Sequence, residues 1–126
     1  MHILVIEPDL LLGGTYVRAL EMAGHTTTHV TSAQEAIHAA DLRRPGMVVL
    51  ELQLPGSNGI AFLHEFRSYA DWREVPVVLH TYVMPHIQRQ FRDVVSEQLG
   101  VVSWLYKPQT SLEQLLSTVR SHTPAS

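Results

Sequence analysis

One pattern restricts this chain more than any other: short apolar runs alternate with helical stripes from end to end. Residues 3–6 (ILVI), 47–50 (MVVL), 75–79 (VPVVL) and 101–105 (VVSWL) are apolar and rich in β-branched side chains, as strands covered on both faces should be. Residues 25–30 (HTTTHV) are β-prone but polar, which suits an edge strand. Between the runs lie stripes at helical spacing: Leu12, Tyr16, Ala19, Leu20 and Ala23, then Ile87, Phe91, Val94, Val95 and Gln98, then Leu112, Leu115, Leu116 and Val119. Ser32 with Glu35 and Thr110 with Glu113 read as capping boxes for the second and fifth helices, with Asp9 and Asn58 as caps of the first and third. Gly13 and Gly14 weaken the first helix by about 0.5–1 kcal/mol each relative to Ala. Five strands alternating with five helices predict an α/β domain with a parallel sheet, helices on both faces and strand order 2-1-3-4-5. The domain is expected over residues 1–121, and residues 122–126 read as a tail or the start of a linker.

At 126 residues the chain can bury a core without a disulfide or structural metal, and it has no cysteine. No apolar run approaches the roughly 18 residues of a membrane span. The start MHILVIEPD lacks a signal peptide's basic segment, so a cytoplasmic protein is expected. A net charge of -3 and a pI near 6.2 give no electrostatic case for nucleic-acid binding. His25 and His29 share one face of the second strand and read as edge residues rather than a metal site. No Ser stands in a nucleophile elbow, and the acidic EPDLLLGG loop would repel the phosphate of a flavin.

In such sheets the functional crevice lies beyond the carboxyl ends of the strands. Glu7 and Asp9 follow the first strand, Glu51 ends the third, Thr81 follows the fourth, and Lys107, the chain's one lysine, follows the fifth. A lone ammonium among carboxylates is either a working point charge or a buried ion pair that closes the strand ends.

The set ILVIEPD, VVLELQLPGSNGIAFL, VPVVLHTY and WLYKP resembles the receiver domain of two-component response regulators, over essentially the whole chain. The resemblance implies a flavodoxin-like (βα)5 three-layer sandwich. In such domains an acidic pair after strand one and an Asp ending strand three hold Mg²⁺, and that Asp takes a phosphoryl group from a histidine kinase. A hydroxyl after strand four and a Lys after strand five contact the phosphoryl oxygens. An aromatic residue on strand five moves with the hydroxyl and remodels the face built from helix four, strand five and helix five. Carried over, Thr81 is the switch hydroxyl, Lys107 the lysine, Trp104 the switch aromatic, and Pro108 the following proline, whose bond to Lys107 the family usually makes cis.

Two positions depart from that pattern. Glu51 stands at the acceptor position. Pro8 takes the second place of the acidic pair and leaves Glu7 alone, since Asp9 reads as a helix cap. Tyr82 is bulky where the family often has a small residue, and is placed to cover the pocket mouth. The Glu stem is longer by one carbon–carbon bond, about 1.5 Å, and a misplacement of about 1 Å can cost on the order of 100-fold in an in-line transfer. Mg²⁺ wants near-octahedral oxygens, and only Glu7 and Glu51 remain to offer them, so weak or absent binding is expected.

The expected function is a phosphorylation-independent receiver without enzymatic activity, a signalling module that dimerises through the helix-four to helix-five face. It is expected to serve an output domain, as the amino-terminal part of a transcription regulator. A stand-alone adaptor for a partner protein, or a receiver with weak residual acceptor activity, are the alternatives. On the first reading a histidine kinase is not an expected partner. Glu51 brings about -1 charge where a phosphoryl group brings about -1.5 to -2, so it either imitates the activated state in part or pairs with Lys107 and locks one state.

Overall fold

The computed structural model describes residues 1–84 and 89–124, and for 89–91 the backbone alone. Five parallel strands form one sheet: β1 (His2–Ile6), β2 (Thr26–Val30), β3 (Met47–Leu50), β4 (Val77–Thr81) and β5 (Val101–Tyr106). Their order is β2-β1-β3-β4-β5, which is the predicted flavodoxin-like topology. Helices α1 (Leu10–Met22), α2 (Ala33–Leu42), α3 (Gly59–Ser68), α4 (Arg89–Gln98) and α5 (Leu112–Ser121) complete the alternation.

Strand alternation divides the core in two. Leu4, Ile6, Val48, Leu50, Val77 and Leu79 face Phe62, Leu63, Phe66 and Val95 on the side of α2, α3 and α4. Ile3, Val5, Met47, Val49 and Val78 face Tyr16, Leu20, Leu115 and Val119 on the side of α1 and α5. Val95 of the predicted α4 stripe is fully buried and Val94 is not. Ile87 of that stripe lies outside the described residues, as does the side chain of Phe91. The polar edge strand has a partner for its hydroxyls: the His2 ring bonds Thr26 Oγ1 and Thr28 Oγ1, each at 2.8 Å.

Several local expectations hold. Asp9 caps α1 by accepting from the Leu12 N–H, Ser32 caps α2 by accepting from the Glu35 N–H, and Asn58 caps α3 by accepting from the Ala61 N–H. The expected Ser32–Glu35 box is only half formed, because Glu35 Oε1 accepts the Thr31 and Ser32 hydroxyls instead of the Ser32 N–H. Others are corrected. The fourth strand starts at Val77 rather than Val75, because Val75 donates to Trp72 O and Pro76 has no N–H to give. The box that opens α5 is Ser111 with Gln114, one residue beyond Thr110 and Glu113. Thr110 is taken up earlier: its N–H donates to Lys107 O and its hydroxyl to Tyr106 O, closing a 3-10 turn over Lys107–Gln109. Pro108 stands in that turn, where its fixed φ is already helical, and the Lys107–Pro108 bond is trans, not cis.

Gly13 has a reason that spacing did not show. A Cβ there would come within 2.1 Å of the His29 ring, so the helix gives up a side chain to admit an imidazole from β2. His25 meets the amino-terminal amine instead, so the two histidines serve separate contacts. After β3 a two-residue hairpin, Gln53–Leu54 with Ser57–Asn58, turns through Gly56 at φ 70°. Arg67 of α3 donates to Leu99 O, Trp72 O and Gly100 O and ties α3 to the turn before β5. Among the described residues no helix is long and apolar enough to cross a membrane.

Candidate functional site

Parallel pairing brings the carboxyl ends of β1, β3, β4 and β5 side by side, and four of the predicted residues meet there. Glu7 leaves β1 with its backbone held on both sides: its N–H donates to Val30 O at 3.0 Å, and His29 Nε2–H donates to its carbonyl at 2.9 Å. Glu51 leaves β3 with its N–H on Ile6 O at 3.0 Å. Both side chains are inside, Glu7 at 3% and Glu51 at 2% exposure.

Lys107 reaches across from the end of β5 and binds both acids. Its ammonium donates to Glu51 Oε1 at 2.8 Å and to Glu7 Oε1. The remaining oxygens are also taken. Glu7 Oε2 accepts the Asp9 N–H at 3.0 Å. Glu51 Oε1 accepts the Tyr82 N–H at 3.3 Å, and Glu51 Oε2 accepts the Thr81 hydroxyl and the Gln53 N–H, the latter at 3.1 Å. A carboxylate has about four lone-pair sites, and Glu51 meets a donor at each.

The charges follow from this geometry. Burial works against ionisation of Glu51, but the hydrogen bonds from Lys107, Thr81 and Gln53 outweigh it and hold the carboxyl below its ordinary range. Burial likewise opposes the Lys107 charge, while Glu51 and Glu7 overcome it and push the ammonium's pKa up. Tyr82 lies half exposed beside the cluster with its ring 4.7 Å from Lys107 Nζ, within cation–π range.

A line of hydrogen bonds leads from the acid to the indole. Thr81 Oγ1 donates to Glu51 and accepts the Val83 N–H at 3.2 Å, and Trp104 Nε1–H donates to Val83 O at 2.9 Å. Trp104, partly buried, packs on the α2–α3–α4 side of the core. Pro8 offers neither charge nor donor, and the Asp9 carboxylate turns to its cap, so neither side chain joins the cluster and Asp9 contributes only its N–H. Among the described residues no three His, Asp or Glu side chains form a group that could hold a metal ion.

Sequence reasoning missed four contributors. The N–H groups of Gln53 and Tyr82 carry no side-chain signature. His29 is found only through Gly13. His80, one residue before Thr81, is 5% exposed with an Nδ1 that has no partner in the structure. Burial and the Lys107 charge drop its pKa to about 4.

The site is thus two buried acids, a hydroxyl and a lysine gathered at the carboxyl ends of a doubly wound parallel sheet. The model of the response regulator receiver domain matches residues 3–120, and the chain belongs to that family. Similar relatives include the transcriptional regulatory protein BasR of Escherichia coli (28% identical over 126 residues, 96% of this chain and 51% of the relative). The response regulator MprA of a Mycobacterium species is 30% identical over 129 residues, 96% of this chain and 50% of the relative. The chain thus spans about half the length of these relatives. Among solved structures, the chemotaxis protein CheY4 of Vibrio cholerae superposes with a TM-score of 0.85 at 19% identity, covering 97% of this chain and 98% of that one. The BeF3-activated receiver domain of Klebsiella pneumoniae RstA gives 0.79 at 22% identity, covering 97% of each.

Proposed function

We propose that this receiver domain signals without taking up a phosphoryl group. The observation that carries the reading is the saturation of Glu51: each oxygen already accepts from two donors, which leaves no lone pair free for attack on phosphorus. The longer Glu stem places those oxygens among the groups that would otherwise meet a phosphoryl group, namely Thr81 and Lys107. On this reading the acid is a built-in occupant of the site.

Mg²⁺ does not fit the donor set. The two available carboxylates, Glu7 and Glu51, share one ammonium and have all four oxygens engaged, and Pro8 supplies no third ligand. A divalent ion would have to expel Lys107 from between them. The domain then catalyses no transfer, and a histidine kinase has no acceptor to serve.

What remains is an interaction module, cytoplasmic, whose switch is held through the Glu51–Thr81–Val83–Trp104 line. Three exposed apolar residues fall on the elements of the expected dimer face: Val94 of α4 (38%), Val102 of β5 (43%) and Leu112 of α5 (39%). They support association through that face. Relatives of twice this length that are named as transcriptional regulators support a regulatory domain over 1–121, joined through 122–126 to an output domain. The test is incubation with acetyl phosphate and Mg²⁺ followed by intact mass measurement. No adduct is expected, and a stoichiometric, hydroxylamine-labile phosphoryl adduct would overturn the reading.

A further inference from the structure

His80 is the one described residue with a buried side-chain polar atom lacking any partner, a placement that ordinarily costs stability. It lines a cavity of about 250 Å³ between α1, the end of β4 and the start of α5, whose walls include Leu12, Tyr16, Tyr82, Lys107 and Leu112. Neither Glu7 nor Glu51 lines it, so the cavity adjoins the acid cluster without being part of it.

We propose that this cavity binds a small, neutral aromatic molecule bearing a hydroxyl, with the hydroxyl hydrogen-bonded to His80. Size supports a single substituted ring: a cavity of roughly 150 Å³ is enough for benzene in another protein. The lining supports an aromatic body, because Tyr16 meets His80 edge-on at 4.9 Å between centroids and Tyr82, Leu12 and Leu112 add further apolar surface, with Thr15, Thr110 and Ser111 as the remaining, polar part of the wall. Charge selects against ions. The nearest charge is the Lys107 ammonium, which repels a cation, and its own charge is spent on two carboxylates, which repel an anion. The imidazole stays neutral, since burial and Lys107 hold its pKa to about 4. A neutral imidazole has one donor and one acceptor nitrogen; Nδ1 is enclosed by protein, so the hydroxyl pairs through Nε2, in whichever role the tautomer leaves it.

Lys107 and Tyr82 are walls of the cavity and members of the acid cluster at once. A ligand seated there touches the ammonium that joins Glu7 to Glu51, and so supplies the input that a saturated acceptor position cannot receive. That second half rests on the phosphorylation-independent reading, whereas the site itself does not.

Phenol and benzene, titrated separately into ¹⁵N-labelled protein, test both halves. Saturable amide shifts are expected at His80, Tyr82 and Leu112, with phenol binding about five- to tenfold more tightly than benzene, the yield of one hydrogen bond. His80→Phe keeps the ring and should erase that preference; Leu12→Trp fills the cavity and should abolish both titrations. Shifts that never saturate, or a preference for phenol that survives His80→Phe, would overturn the site. The Trp104 indole N–H signal should move with phenol occupancy, and a stationary signal at saturation would overturn the input role. Phosphoryl labelling is judged separately by mass, so failure of that reading and failure of the site give different results.

Discussion

Replacing Lys107 by Met removes the ammonium, keeps the stem's bulk, and leaves Glu7 and Glu51 facing each other at 3% and 2% exposure. Breaking a buried pair by deleting one partner costs about 3–5 kcal/mol. Each kcal/mol moves the midpoint of a domain this size by about 3–5 °C, so Tm should fall by about 10–20 °C at pH 7. The pH response should also reverse. In the native protein Glu51 titrates below its ordinary value of 4.5, so its contribution is present above that pH and fades as pH falls through the folded value. Lys107 titrates above 10.5, so its contribution is present below that pH and fades on the alkaline side. With the ammonium gone, two carboxylates at close range raise the pKa of one of them, and the variant should gain stability as pH drops from 8 to 5. Thermal unfolding followed by circular dichroism at three pH values measures both effects. In a Trp72→Phe background the emission of Trp104 should shift as well, because the hydrogen-bond line from Glu51 loses its anchor. A Tm within about 3 °C of the parent, with the parent's pH slope and unshifted emission, would refute the argument and reduce the cluster to a solvated pair.

Adjacent glycines should respond with opposite signs. Gly13→Ala drives a methyl into the His29 ring and should cost about 1–3 kcal/mol, whereas Gly14→Ala meets nothing within 4 Å and should add about 0.5–1 kcal/mol; urea unfolding of both decides. For His80, a pKa lowered from 6.5 to about 4 means the unfolded chain binds more protons in that interval. Stability should therefore rise by about 3 kcal/mol from pH 4 to 6.5, and the same titration on His80→Phe should lose that rise. Sedimentation at tens of micromolar should show a dimer that Val102→Glu dissolves, while a monomeric parent would count against a held switch.

Strands and site were legible to different depths. The third strand matches its run to the residue, because four consecutive apolar β-branched or aliphatic positions stop at an acid. The fifth helix slips by one, because Thr110 had two uses and only the turn before it decides which. Glu51, Thr81 and Lys107 were found by their place at strand ends. That Lys107 would hold both acids was not readable, since Glu7 and Lys107 are 100 residues apart and such distances leave no local spacing to detect. His29 was read as an edge residue for the same reason: its meaning lies in a missing side chain on another element. Arg67 escaped because its partners are three backbone carbonyls, which every sequence contains.

The bridging ammonium also bears on how the chain is made. Glu7 and Glu51 leave a ribosome long before the last strand, at about 5–20 residues per second. Until Lys107 arrives, a sheet of the first four strands would have to bury two acids with no counter-charge, which costs several kcal/mol per ion. Early closure is thereby penalised, and the nascent domain is held loose until its final β-α unit docks. A truncated product ending before residue 107 gets no such release, and stays open to the proteases that clear unfinished chains.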